Sequence, residues 1–356
     1  MKEAPRTLCV LRLSAIGDVC HTLPVVRTLQ DHWPETHITW IIGRLEHTLV
    51  GDIPGIEFVV FDKKKGIGAY RDLDAHLRER NFDVLLNMQV ALRAGIASLF
   101  VKAPVKIGYD RERARDWQWL FTNRRIEARP REHVMDALFG FTDALGVPRS
   151  KPRWDIPVGT QDAAFAREIA PDRERVLVIS PCSSQRARNF RNWPVDRYIA
   201  LARHAMTAHG MRVVLTGGPS ALERIYGGEI EAALPDVTNL VGATSLKQLF
   251  AILGRATVLV SPDSGPVHMA NAAGTPVIGL YATSNPERTG PYFGREWVVN
   301  RYPDAVRKYL GKPVDELRWG QRVRAPGALD LITCEDVIAR LDRLIENSRI
   351  SDERTS

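Results

Sequence analysis

The chain lacks any long hydrophobic segment and contains little cysteine. None of its apolar runs approaches the roughly 18 residues that a membrane-spanning helix requires. The charged first residues lead straight into a strand-like run, so no secretory signal is expected. Only four cysteines occur in 356 residues, and none has CxxC or zinc-ligand spacing. We expect them to be reduced thiols of a cytosolic protein.

The sequence motifs of three common enzyme classes are also missing. No GxxxxGK[ST] occurs, which argues against a P-loop kinase or NTPase. No GxGxxG follows the first strand-like run, which disfavours an NAD(P)-dependent enzyme. There is no HExxH, no Cys/His cluster and no Asp-x-Asp at a strand end, so no bound metal is expected.

The chain has fewer acidic residues than basic ones and carries a formal net charge of +7. This excess predicts an anionic partner, either nucleic acid or an anionic membrane surface or lipid. Basic residues are concentrated in the first half of the chain, although most single charges there are expected to be solvated surface. No helix-turn-helix or RNP-type signature is present, so a non-catalytic nucleic-acid-binding protein is only a remote alternative.

Strand-like and helix-like segments alternate along the chain, which predicts an α/β protein. The length favours two domains, and the pattern predicts Rossmann-like, doubly wound domains at residues 1–160 and 161–331. Residues 332–356 are expected to form a final helix over 334–347 and a frayed polar tail, packing back towards the first domain. Two such domains are expected to face each other across a cleft, where ligands favour binding.

The segment after the first strand-like run carries candidate chemistry. Residues 14–21 read SAIGDVCH, and Thr22 is a suitable N-cap for the helix that follows. A helix beginning earlier would hold Pro24 in its interior at a cost of about 3 kcal/mol. The pattern therefore predicts a loop over 14–21, with Asp18 and His21 at the carboxyl edge of the sheet, where α/β proteins place their chemistry.

A second candidate segment, residues 256–281, reads as strand, polar turn, helix and strand. Ser264 can cap the helix, and Pro266 is tolerated in its first turn. Gly265 permits close approach of a ligand, and the helix start offers unpaired N–H groups. This turn therefore predicts an anion site suited to a diphosphate.

Three segments resemble glycosyltransferase family 9, the ADP-heptose:lipopolysaccharide heptosyltransferases. They are SAIGDVCHTLP at 14–24, NWP at 192–194 and SPDSGPVHMANAAGTPVIGLYATSNPERTGPY at 261–292. The first of them, with the segment GYDRERARDWQWLFTNRR, is closer to heptosyltransferase I than to heptosyltransferase II. Heptosyltransferase II, or another family 9 enzyme with a different acceptor or nucleotide sugar, is the alternative.

The resemblance implies a fold, a reaction and a location. The fold would be GT-B, with acceptor binding by the first domain and nucleotide-sugar binding by the second. The reaction would be an inverting transfer of heptose from ADP-L-glycero-D-manno-heptose to the Kdo of the lipopolysaccharide inner core, without metal or cofactor. The acceptor, Kdo-lipid A, would be met by a cytoplasmic protein peripheral to the cytoplasmic face of the inner membrane.

The resemblance also assigns site residues. Asp18 matches the family's catalytic aspartate, which would take the proton of the acceptor hydroxyl. Arg191 stands where the family has a lysine near the leaving diphosphate, although Arg186 and Arg188 are alternatives for this role. The implied donor-binding residues are Ser183, Ser184, Glu223, Thr244, Asp263, Ser264, Gly265 and His268. The implied acceptor-binding residues are Lys64, Arg111, Arg113 and Arg115, whose charges suit the carboxylates of Kdo and the phosphates of lipid A.

Overall fold

The computed structural model describes residues 3–183 and 190–355. The chain divides into two compact units, Met1–Pro157 and Val158–Ser356, here called the first and second units. This division lies close to the boundary expected after residue 160. Each unit contains one six-stranded parallel sheet with helices, as the alternating segments predict.

The first unit is a doubly wound domain whose strands follow the order β3-β2-β1-β4-β5-β6. This is the strand order of a Rossmann fold. Its elements are β1 (Thr7–Leu11), α1 (Ile16–His32), β2 (His37–Gly43), α2 (Arg44–Val50), β3 (Ile56–Phe61), α3 (Ile67–Leu77), β4 (Val84–Asn87), α4 (Leu92–Leu99), β5 (Val105–Gly108), β6 (Arg124–Arg125) and α5 (Val134–Leu145).

The second unit repeats this plan with the order β12-β11-β10-β7-β8-β9. Its elements are α6 (Thr160–Ile169), β7 (Val176–Ile179), α7 (Val195–His209), β8 (Arg212–Leu215), α8 (Ala221–Ala233), β9 (Thr238–Asn239), α9 (Leu246–Leu253), β10 (Val258–Pro262), α10 (Gly265–Ala272), β11 (Val277–Tyr281), α11 (Pro286–Thr289), β12 (Val299–Asn300), α12 (Tyr302–Leu310) and α13 (Cys334–Thr355).

The strand order of each sheet reverses at one place. In the first unit β1 pairs with β4, and in the second unit β7 pairs with β10. These central strands are almost wholly buried apolar runs, as expected of parallel strands covered on both faces. In open parallel sheets, ligands bind outside the carboxyl ends of the strands at such a reversal. The fold therefore specifies one candidate region in each unit.

Helix α1 differs from the prediction and begins at Ile16, with Pro24 in its interior. Proline has no N–H, so it cannot donate to the carbonyl of Cys20 one turn earlier. The indole N–H of Trp154 donates to that carbonyl instead, at 2.6 Å. The free-energy cost of an interior proline predicts a later helix start. The hydrogen bond from Trp154, a residue 134 positions away, offsets that cost.

The carboxyl-terminal part of the chain is more regular than its sequence suggested. Helix α13 (Cys334–Thr355) is longer than the predicted helix over 334–347, and the predicted fraying of the tail stays a prediction. It packs on α7, β11 and β12, and Leu341 and Ile345 belong to the core of the second unit. Its expected packing towards the first domain stays a prediction. The stretch predicted to be irregular, residues 283–331, contains α11, α12 and β12.

Candidate functional site

Asp18 lies in the first turn of α1, directly beyond the carboxyl end of β1. Its Oδ2 accepts a hydrogen bond from the backbone N–H of Ala15 at 3.0 Å and lies 2.6 Å from Nη2 of Arg12. The predicted loop is therefore wrong, but the predicted position at the sheet edge is correct. The positive end of α1 and the guanidinium both favour a carboxylate here. The Asp18 side chain keeps 37% of its surface exposed, so the anion is accessible.

Arg12 is a buried cation immediately after β1 that the sequence reasoning missed. It donates to the carbonyl of Met88, just beyond the end of β4. Burial alone lowers the pKa of Arg12, but the Asp18 carboxylate and Tyr109 more than offset this effect and raise it. Arg12 therefore stays charged beside Asp18. The signal that could have identified it is a lone basic residue in the otherwise apolar run at residues 7–13.

Polar side chains also lie where β1 and β4 end. Gln89 accepts from the N–H of Leu13 at 2.6 Å and donates to the hydroxyl of Ser14 at 3.3 Å. These contacts hold the segment that leads from β1 to Asp18. One turn further along α1, His21 is buried and packs edge-on against His133, with ring centroids 5.3 Å apart.

In the second unit, Arg191 and Asp263 meet at the carboxyl end of β10. Nη1 of Arg191 donates to the carbonyl of Asp263 at 2.9 Å and lies 3.3 Å from its Oδ2. The same Oδ2 accepts from the hydroxyl of Ser284 at 2.8 Å. Two residues predicted from separate segments, 72 positions apart, are thus brought together. Ser284, which orients the carboxylate, was missed although it lies in the family-like segment 261–292.

The start of α10 follows Asp263 directly. Ser264 occupies the N-cap position, but its hydroxyl bonds that of Ser261 at 2.8 Å and makes no capping hydrogen bond. The predicted side-chain cap is therefore wrong, because the neighbouring serine competes for the hydroxyl. Gly265 and Pro266 begin the helix as predicted, and His268 is buried in its first turn. With no cap from Ser264, the first-turn N–H groups suit an anion.

The region after β7 is described only in part. Ser183 is buried, and its backbone N–H donates to Oδ1 of Asn192 at 3.0 Å, next to Arg191 in sequence. Ser184, Arg186 and Arg188 lie outside the described residues. Of the three arginines predicted to lie near the leaving diphosphate, Arg191 is the one that lies among the described residues.

Glu223 holds the turn that follows β8. One carboxylate oxygen accepts from the N–H of Gly218 at 2.7 Å, and the other accepts from the hydroxyl of Ser220 at 2.5 Å. Ser220 in turn caps α8. The N–H of Gly242 donates to the carbonyl of Gly217 at 2.9 Å, which brings the loop leading to Thr244 beside the same turn. Glu223 therefore has a structural role, and its predicted contact with a nucleoside stays a prediction.

The predicted acceptor residues have two different environments. Lys64, Arg111 and Arg115 are exposed. Arg113 instead pairs with Asp110 and with Glu132, the latter at 2.8 Å. An arginine held by two carboxylates is less available to an anionic ligand than an exposed one.

Arg111 and Arg115 line a surface groove in the first unit together with Trp117, Trp119 and Arg125. Trp117 and Trp119 are 62% and 53% exposed. Large apolar side chains at the surface among cations indicate an interaction site. Among the described residues, no helix is both long and apolar enough to span a bilayer.

Comparison with known sequences agrees with the resemblance drawn from the motifs. The model of "Glycosyltransferase family 9 (heptosyltransferase)" matches residues 70–319. The lipopolysaccharide core heptosyltransferase OpsX of Haemophilus influenzae is 41% identical over 343 residues, covering 96% of this chain and 98% of that protein.

Comparison with solved structures supports the fold. A glycosyl transferase family 9 protein from Veillonella parvula is similar with a TM-score of 0.76 and 22% identity, covering 96% of this chain and 97% of that one. The E. coli heptosyltransferase WaaC with ADP has a TM-score of 0.73 and 19% identity, covering 95% and 99%. At these identities the likeness concerns the fold alone.

Proposed function

The chain belongs to glycosyltransferase family 9, the heptosyltransferases, and we propose that it transfers heptose from ADP-L-glycero-D-manno-heptose to Kdo of the lipopolysaccharide inner core. Its fold class is GT-B, with two Rossmann-like units. The observation that carries the proposal is Asp18, an accessible carboxylate held beside Arg12 at the carboxyl end of β1. An inverting transfer requires one such base.

In this proposal the second unit binds the donor. The first-turn N–H groups of α10 and the guanidinium of Arg191 meet the diphosphate, for which both are suited by charge. Asp263 is an acceptor only, so it serves the hydroxyl groups of the heptose rather than the phosphates. Ser183 and Ser184 add hydroxyl groups at the phosphates, and Glu223 and Thr244 serve the nucleoside.

The reaction proceeds as a direct displacement. The acceptor hydroxyl oxygen attacks the anomeric carbon while Asp18 takes its proton. The bond from the anomeric carbon to the diphosphate oxygen breaks, and ADP leaves with that electron pair. Arg191 and the α10 amides stabilise the charge that develops on ADP. We propose that no metal or cofactor is required.

A nucleotide-sugar screen tests the donor. A ligand that binds only the native protein raises its melting temperature, so ADP-heptose should stabilise the protein more than UDP or GDP sugars do. Transfer in the presence of EDTA should equal transfer without it. Stabilisation by a UDP sugar alone would reject the proposed donor.

The acceptor distinguishes heptosyltransferase I from heptosyltransferase II. The relative from H. influenzae is named a lipopolysaccharide core heptosyltransferase, and this name does not say whether it carries out the first or the second heptose transfer. With ADP-heptose as donor, deacylated Kdo₂-lipid A should be converted and heptosyl-Kdo acceptors should not. Conversion of the heptosylated acceptor alone would instead assign the second transfer.

We propose further that the enzyme is cytoplasmic and docks on the anionic inner face of the membrane. The groove with Trp117, Trp119 and three arginines carries this proposal, because each cation near an anionic bilayer contributes about 1 kcal/mol. Indole rings favour the membrane interface. Acceptor binding would use Arg111 and Arg115 of this groove together with Lys64, and Arg113, which is paired with Asp110 and Glu132, would contribute less.

Vesicle co-sedimentation tests the docking surface. Wild-type protein should bind vesicles containing phosphatidylglycerol more than vesicles of phosphatidylcholine, and the double variant Trp117→Ser, Trp119→Ser should bind less. Ile225→Ser, which removes an exposed apolar side chain in the second unit, is the matched control. Equal sedimentation of all three proteins would contradict the proposal, and salt-steep binding to duplex DNA would favour the nucleic-acid alternative.

A further inference from the structure

Two histidines and one aspartate of the second unit converge where α7 ends beside α13. Nε2 of His204 lies 2.7 Å from Oδ1 of Asp342, and Nε2 of His209 lies 2.6 Å from the same oxygen. The two imidazole rings are packed edge-on at an interplanar angle of 77°, with centroids 5.4 Å apart. The family resemblance assigns no role to these residues, and the transfer reaction proposed above does not use them.

We propose that His204, His209 and Asp342 bind a divalent transition-metal ion of the zinc class. One ligand atom from each residue lies within 4.8 Å of the other two. Two imidazole nitrogens and a carboxylate oxygen form a common set of three protein ligands for zinc, with water in the fourth position.

The two N···O distances require little rearrangement. Bonds of 2.0–2.1 Å in a tetrahedral site place ligand atoms about 3.3 Å apart. The two N···O separations of 2.7 and 2.6 Å therefore need to widen by less than about 1 Å. All three side chains are partly exposed, so an ion can reach them from solvent.

The Asp342 carboxylate is the partner that the two imidazoles share, because both Nε2 atoms lie within hydrogen-bond distance of its Oδ1. Metal binding replaces the two Nε2···Oδ1 contacts with two N–metal bonds, and each neutral imidazole ligand then carries its proton on Nδ1.

One feature of the site limits its affinity. Ligand imidazoles usually donate their second N–H to an acceptor, and loss of that partner weakens metal binding by about 10- to 100-fold. Nδ1 of His209 is buried and makes no hydrogen bond to any described residue. We therefore expect an exchangeable ion rather than a permanent structural one.

A bound ion would link the end of α7, which carries the two histidines, to α13, which carries Asp342. Asp342 lies between Leu341 and Leu344, both of which are buried in the core of the second unit. An ion held by α7 and Asp342 would stabilise this packing. Because the ion binds the native arrangement, it should raise the melting temperature in proportion to the logarithm of its concentration.

Metal titration of the full chain without an affinity tag tests the site. Protein freed of metal with EDTA and dialysed is titrated with Zn²⁺ by calorimetry and with Co²⁺ by visible absorption. Wild type should bind one Zn²⁺ and give the intense bands of tetrahedral Co²⁺. Asp342→Asn and His209→Gln should lose both signals. His76→Gln, in an exposed histidine of the first unit, is the matched control.

Melting of each variant without metal shows whether it is folded, so a loss of binding can be separated from a loss of structure. Absence of Zn²⁺ binding by wild type up to about 1 mM would overturn the proposal. Binding that is unchanged in both Asp342→Asn and His209→Gln would also overturn it, since the ion would then lie elsewhere. Neither result affects the transferase proposal, which uses other residues.

Discussion

Nη2 of Arg12 lies 2.6 Å from Oδ2 of Asp18, and this pair joins the end of β1 to the first turn of α1. Arg12 is buried and its charge is balanced by Asp18, whose carboxylate remains partly exposed. The pair therefore presents an anion to solvent while its cation stays inside the first unit.

Asp18→Asn should abolish transfer and leave donor affinity nearly unchanged. The amide keeps the shape of the side chain but cannot take a proton, and loss of a general base lowers kcat by about 10²- to 10⁴-fold. The measurements are single-turnover transfer and ADP-heptose affinity by calorimetry. Asp74→Asn, which alters a carboxylate 3.9 Å from Arg78 at the surface, should keep full activity. Turnover by Asp18→Asn near that of wild type would sink the assignment.

Arg12→Met should move the acid limb of the activity profile to higher pH. A carboxylate that has lost its neighbouring cation binds a proton more readily, and the base must be unprotonated to act. Arg12→Lys should partly restore the wild-type profile, since it returns the charge without the planar guanidinium.

The profile of kcat/KM over roughly pH 5 to 9 measures this shift. Arg80→Gln breaks a surface pair of the same unit, 2.6 Å from Glu57, and should leave the profile in place. A uniform loss of activity in Arg12→Met at every pH would mean that Arg12 only supports the fold.

Glu223→Ala and Ser220→Ala separate nucleoside binding from helix capping. Both changes remove the 2.5 Å contact between the two side chains, and loss of the serine cap costs about 0.5–2 kcal/mol of stability. If Glu223 also binds ribose, its loss should weaken ADP binding by about 10-fold or more, because hydrogen bonds to a charged group are worth about 1.5–3 kcal/mol. Ser220→Ala should leave ADP affinity within a few-fold of wild type. Equal ADP affinities for the two variants would restrict Glu223 to its structural role.

Trp154→Phe should destabilise the first unit through α1. It leaves the buried carbonyl of Cys20 without the indole donor, at a cost of about 1–3 kcal/mol. For a unit of this size that corresponds to a fall in melting temperature of about 2–4 °C per kcal/mol.

The same substitution should cost less in a Pro24→Ala background, because the N–H of the new alanine can donate to Cys20 along the helix. A double-mutant cycle on melting temperature and denaturant midpoint measures this coupling. Additive effects of the two substitutions would show that the indole does not compensate for the proline.

Much of the fold was predictable because its signals are local. Buried parallel strands must be apolar and helices must bury a stripe, so residues 256–281 were predicted as strand, turn, helix and strand, and they contain β10, α10 and β11. The site segments were predictable for a related reason. Turns at the carboxyl ends of parallel strands are where such folds place ligands, so Asp18 could be singled out from its position in the chain, whereas Asp263 was assigned by the family resemblance.

The features that were predicted wrongly or missed depend on contacts between residues far apart in the chain. The local cost of Pro24 predicted a later start for α1, and only the contact with Trp154 reverses that conclusion. The cluster at Asp342 draws on a histidine 138 positions away, and no spacing rule connects the two.

Local patterns in the sequence are enough to predict the α/β class, the two repeated units, the family and the strand ends that carry the candidate residues. Which side chains meet depends on the folded chain: Arg12 pairs with Asp18, and Asp263 contacts both Arg191 and Ser284. Periodicity and turn propensity act between neighbours in the chain, whereas hydrogen bonds and ion pairs depend on atomic separations that exist only after the sheets have formed.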